Sequence, residues 1–210
     1  MDFFVWLHDS SLSTWIKESP SIWPYDVLCL SGHAVGMAVL VGVSSAVALR
    51  ILGIAPQLPL APMAGLFPVM YGGFWVNALS GAGLFISYPV KAVTNPGFYV
   101  KMAGVVLAVL CIRRIRHRVF PGPAAGRPGS VGATERNLAG ALLCIWVATI
   151  TAGRLMAYHE IAGVERDTVI GVLILTAAMA LTWYVATRRH GRSFELGAAH
   201  TSRPRVASER

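Results

Sequence analysis

The chain has 210 residues, of which 55% are hydrophobic and only 13% charged, with a mean hydropathy of +0.58. A soluble domain carries about 25% charged residues, so a deficit spread over the whole length excludes an ordinary soluble domain and indicates an all-α integral membrane bundle. The net charge of +8 does not indicate nucleic acid: the arginines gather at the ends of apolar segments, where a basic excess marks the cytoplasmic face of a membrane, and no basic patch with interleaved aromatics is present.

Residues 1–20 are too polar to span. Phe3, Phe4, Trp6, Leu7, Trp15 and Ile16 alternate with charged and hydroxyl residues, and Trp prefers the membrane interface. The segment reads as a short amphipathic helix on the outer surface. Asp2 stands where a signal peptide would be basic, so no cleavable signal is expected. Pro20 and Pro24 then turn the chain into the first span, since proline suits a helix start.

A span needs about 20 apolar residues. Five segments qualify: 24–49, 66–87, 97–114, 138–157 and 167–187. Lys101 falls in the first turns of the third, where a long side chain can snorkel to the interface. The stretch APQLPLAPMAG reads as a proline-rich inner loop and PGPAAGRPGSVG as a flexible inner linker. Residues 188–210 read as a basic, disordered cytoplasmic tail. Arg113, Arg114, Arg116, Arg118, Arg127 and Arg136 lie between spans three and four. Arg188, Arg189, Arg192, Arg203, Arg205 and Arg210 follow span five, and Arg50 follows span one. Five spans put all of them on the cytoplasmic side, with the N-terminus and the loops 88–96 and 158–166 outside.

Ionisable groups inside a membrane segment are costly and face a protein interior or a wet cavity. Span one contains His33. By helical steps of three and four, Asp26, Cys29, His33, Gly36, Met37 and Leu40 share its face. Two readings stand for His33: a packing histidine bonded across to a neighbouring helix, with Gly32 and Gly36 allowing close approach, or an axial ligand for haem or a metal. Span four ends TAGRLMAYHE, which places Arg154 and Tyr158 one turn apart. Asp26, His33, Lys101, Arg154, Tyr158 and His159 should then lie at similar outer depths as one polar cluster. Either an Asp26–Arg154 salt bridge fixes the packing, or Lys101 and Arg154 make an anion site for haem propionates or a lipid head group.

Gly72, Gly73, Asn77, Ser80, Gly81 and Gly83 give span two a tight packing face. His117 reads as part of a solvated basic flank. Met63, Met70, Met102 and Met156 form no MxxM run, so apolar packing is preferred to copper(I). Cys29, Cys111 and Cys144 each stand alone in an apolar segment and read as small buried hydrophobes. No G-x-S-x-G, HExxH, P-loop or Rossmann glycine fingerprint occurs.

The stretches WIKESPSIWP, HAVGMAVLVGVSSAVALRILG, GGFWVNALSGAGLF, NPGFYVKM and IWVATITAGRLMAY, in this order, resemble an uncharacterised family of small bacterial multi-pass membrane proteins, a domain of unknown function. The resemblance runs from about Trp15 to Tyr158. By position, His33, Arg50, Gly53, Asn95, Pro96, Lys101, Arg154 and Tyr158 match its pattern. The chain departs at Ala48, where the pattern has an acidic residue before the Leu-Arg pair. The resemblance implies a four-helix core with span five added and a place in the bacterial inner membrane; it implies no reaction. A looser likeness holds to b-type transmembrane cytochromes and copper-resistance membrane proteins. Two-haem cytochromes pair histidines on facing helices, whereas this chain has one histidine well inside a span.

Two roles are therefore expected. One is a non-enzymatic membrane protein whose outer polar cluster takes a small ligand, a membrane partner protein or a second copy of the chain. The other is an electron carrier with one haem b on His33, its second ligand His159 or Met37, and its propionates on Lys101 and Arg154. A transporter or channel is the weaker third, because no span is visibly broken at mid-membrane and no inverted repeat is evident.

Overall fold

The structure is a computed structural model, and it describes residues 1–120, 131–156 and 171. Span five, the basic tail, Tyr158, His159 and most of the inner linker lie outside the described residues. Among the described residues every regular element is helical. Two short helices open the chain, α1 (Asp2–His8) and α2 (Ser11–Glu18). The single amphipathic helix expected over residues 1–20 is thus two. Ser10 makes the break, since its side chain accepts from Ser13 N and caps α2, as a serine at a helix start does.

The first long helix begins as a π-helix, Trp23–Ser31, and continues without a turn into α3 (Gly32–Ile51). Its buried positions, Pro24, Cys29, Gly36, Leu40, Ser44, Val47, Ala48 and Ile51, begin with a step of five and then settle to threes and fours. The wider π turn rotates Asp26 off the inner face, and Asp26 is exposed. The α-helical phase that put Asp26 beside Cys29 and His33 is corrected by this one stretch.

Arg50 closes α3. Its Nε donates to Leu58 O at 2.5 Å and its Nη2 to Pro56 O at 3.1 Å, which folds the proline-rich loop back under the helix end. Gly53, at φ +94°, supplies the left-handed residue that glycine tolerates best. A 3-10 turn, Ala61–Leu66, leads into α4 (Phe67–Ser87). After α5 (Pro89–Thr94), Asn95 caps α6 (Pro96–Val119) through Gly97 N→Asn95 Oδ1 at 2.8 Å, with Pro96 in the first turn. Asn95 also donates from Nδ2 to Met156 O at 3.2 Å, tying the start of α6 to the end of α7 (Ala133–Leu155).

Among the described residues three helices are long and apolar enough to cross a membrane: Trp23–Ile51, Ala61–Ser87 and Ala133–Leu155. The span expected over 97–114 is the helix α6, about 36 Å long at 1.5 Å per residue. It carries Lys101 near one end and Arg113, Arg114, Arg116 and Arg118 near the other, and it is not one of those three. α3 packs on α4 and α7, and α7 packs on α6. The backbones of α4 and α6 stay apart along most of their length. They are pinned near one end by Phe85 stacked on Phe98 and near the other by Phe67 edge-on to Phe120.

The burial pattern fits helices packed in lipid. Leu79 (69% exposed), Val35 (61%) and Val106 (58%) face outward, while Ser44, Ser80, Ser87 and Thr149 are buried. In a bilayer, apolar side chains gain nothing from hiding, and small or hydroxylic residues are what helices press together. Each of these four hydroxyls has a helix carbonyl to donate to: Ser44 to Leu40 O, Ser80 to Val76 O, Ser87 to Gly83 O and Thr149 to Ile145 O; Ser13 Oγ, buried in α2, has no partner among the described residues. Trp146 Nε1 donates to Ser44 Oγ at 2.9 Å in the core and bolts α7 to α3.

Candidate functional site

His33 opens α3 and leans on α4. Close approach makes this contact possible. A Cβ on Gly36 would fall 2.5 Å from Asn77 N and 2.9 Å from Gly73 O, and one on Gly81 would fall 3.1 Å from His33 Cε1. Gly73, Asn77 and Gly81 stand at successive i, i+4 positions on α4, so backbone and imidazole meet where side chains would otherwise intervene.

The hydrogen bonds around the ring assign its tautomer. His33 Nδ1 is 3.0 Å from Asn77 O. A carbonyl oxygen can only accept, so Nδ1 carries the proton and donates. Asn77 Nδ2, 3.3 Å from the same nitrogen, then has no lone pair to meet there, and it donates instead to His33 O at 2.9 Å. Ser80 Oγ is 3.5 Å from Nδ1 and spends its proton on Val76 O at 2.6 Å. Nε2 is left as an acceptor, and Lys101 Nζ lies 3.3 Å from it. Lys101 comes from α6, and its stem passes Gly153 of α7, where a Cβ would sit 3.5 Å from Lys101 Cδ. Three helices thus meet at one chain of contacts, Lys101–His33–Asn77, with Ser80 beside it and Gly153 of α7 against the lysine stem.

Chemically this is a cation held inside the bundle. An ammonium has three donors. One meets His33 Nε2, and no carboxylate pairs with Lys101 among the described residues, where the one salt bridge is Arg118 Nη1 to Glu135 Oε1 at 3.4 Å. A neutral imidazole accepts from Lys101. A protonated one would set two positive charges 3.3 Å apart, so the pair carries at most one charge.

Of the residues expected to cluster, the structure brings together His33 and Lys101. Asp26 and Arg154 are both exposed, and no salt bridge joins them. Tyr158 and His159 lie outside the described residues. Among the described residues no three His, Cys, Asp or Glu side chains converge as a metal site. From sequence, Asn77, Ser80 and Gly81 form a packing face, with room for a flat cofactor as the lesser reading; in the structure all three border the imidazole. The signal was present: the ladder Gly73, Asn77, Gly81 carries the one amide of that segment, and it faces the Gly32–Gly36 pair flanking His33.

Comparison of the chain with family models, with curated proteins and with solved structures finds no match. The likeness to small bacterial multi-pass proteins rests on its motifs alone.

Proposed function

We propose that this protein is a multi-pass protein of the bacterial inner membrane that binds a small anionic ligand, without catalysis, at the Lys101–His33 pair. The observation that carries the reading is the lysine: Nζ meets a neutral imidazole 3.3 Å away, and its charge has no counter-ion among the described residues. Intramembrane ionisable groups are retained where they bind or relay, and a carboxylate or phosphate would occupy the donors that His33 leaves open. The topology that goes with this reading has five spans, with α6 as the third, the N-terminus outside and the C-terminal tail in the cytoplasm. It is supported by the apolar outer face of α6, where Val106, Leu107 and Leu110 are exposed, and by the arginines gathered at its far end.

The test is thermal. At constant ionic strength, phosphate or acetate should raise the Tm of the detergent-purified protein relative to chloride, because a ligand bound only by the folded state stabilises it. Lys101→Met should fold and lose that shift. An equal shift in the variant contradicts the anion site.

A second reading, one haem b on His33, is favoured by the Nδ1–Asn77 O bond, since ligating histidines fix their free nitrogen on a carbonyl in this way. It requires Lys101 to leave Nε2 for a propionate. A reduced-minus-oxidised visible spectrum, with haem supplied during expression, separates the two: an α-band lost in His33→Ala supports iron, and a flat spectrum supports the anion site.

A further inference from the structure

The gap between α4 and α6 opens a cavity of about 350 Å³ whose lining changes character along its length. Leu40 and Met70 form the floor, Phe74, Trp75 and Val109 form apolar walls, and Arg113, Arg116 and His117 stand at one end. These three basic residues fall on one face of α6 by steps of three and four, and all three are exposed. The Arg116 guanidinium is held in place by two rings, 5.6 Å from the centroids of both Phe67 and Tyr71. Neither Arg113 nor Arg116 has a carboxylate partner among the described residues, where the one salt bridge uses Arg118. Trp75, 61% exposed, stands about 12 Å along α4 from Phe67, at 1.5 Å per residue. A lateral opening with charge at one end and an apolar wall running inward matches an amphiphile with a negative head.

We propose that this groove binds an anionic glycerophospholipid of the cytoplasmic leaflet. Its phosphate lies between Arg113, Arg116 and His117, and an acyl chain lies along Phe74, Trp75 and Val109. Arginine forks suit phosphate oxygens, basic pockets between helices on the cytoplasmic side recognise such head groups, and the lipid fills the space that α4 and α6 leave between them. The proposal rests on the proposed topology, which sets the arginine end of α6 at the cytoplasmic face, and not on the His33 site.

Native mass spectrometry of the full chain in detergent, with equal amounts of phosphatidylglycerol and phosphatidylcholine of matched chains, reads the preference directly. Phosphatidylglycerol should be retained preferentially. Arg113→Gln and Arg116→Gln should each lower that preference about fivefold, the effect of one charge near an anionic surface. Arg114→Gln, which removes the same charge outside the groove lining, should leave most of it. Trp75→Ala should weaken retention of both lipids. Because Arg116 also packs on two rings, Arg113→Gln serves as the arginine test if Arg116→Gln does not fold. Equal retention of the two lipids, an equal loss in Arg114→Gln, or competition by glycerol phosphate as strong as by the intact lipid would overturn the proposal, the last by pointing to a free anion.

Discussion

At the scale of single residues, the histidine inside an apolar span lies in a chain of contacts with one proton assignment. His33 is tied to α4 through Asn77 O and faces Lys101 through Nε2. The sequence disclosed the costly residues, because charge and imidazole inside a span are visible without a structure. It did not disclose their partners, because those are a backbone carbonyl and an amide on another helix. Asp26 shows the opposite error: it looked aligned with His33 only if the helix kept 3.6 residues per turn, and it does not. A double-mutant cycle of Lys101→Met and His33→Gln, followed by thermal unfolding in detergent, should give a coupling energy of about 0.5–3 kcal/mol, as for residues in direct contact. Additive losses would mean that the two side chains do not meet.

At the scale of elements, the starts of α4 and α6 were legible from the proline and glycine punctuation of the apolar runs, whereas α6 runs to Val119, past the expected 114, and α7 begins at Ala133, before the expected 138. α4 begins at Phe67 and α6 at Pro96, against expected starts of 66 and 97. The roles of Arg50, Gly53, Asn95 and Pro96 were not legible. They emerge as a loop tie, a left-handed turn, a cap and a first-turn proline, all of which need three-dimensional neighbours to be understood. Glycine spacing gave a tight packing face but not which atoms meet across it. Gly36→Ala must push α3 from α4 at Asn77 and should cost about 1–3 kcal/mol, the usual penalty for overpacking. Gly42, with nothing within 4 Å of an added Cβ, should accept alanine without loss and gain up to about 1 kcal/mol from helix preference. Equal effects at the two positions, measured as Tm in detergent, would remove the close-approach argument.

At the scale of the whole molecule, the composition indicates a membrane bundle, and the burial pattern fits one, with large apolar side chains on the outside and hydroxyls set among those of the core. Which helices share long contacts was not readable, because a uniformly apolar helix has no distinct core stripe to reveal its neighbours. The gap between α4 and α6 is therefore a structural finding. The proposed five-span orientation predicts that a reporter active only outside the cytoplasm will be active when fused after Asn95 and inactive when fused after Phe120. The reverse pattern would invert the molecule and move the His33 site to the inner leaflet.

The most direct measurement is the ¹⁵N spectrum of histidine-labelled protein in lipid nanodiscs, with the His33 signals identified by their loss in His33→Gln. The account predicts a neutral ring with the proton on Nδ1 and an Nε2 resonance that moves in Lys101→Met. A proton on Nε2, or an Nε2 signal indifferent to Lys101, would contradict the pairing on which the site is built.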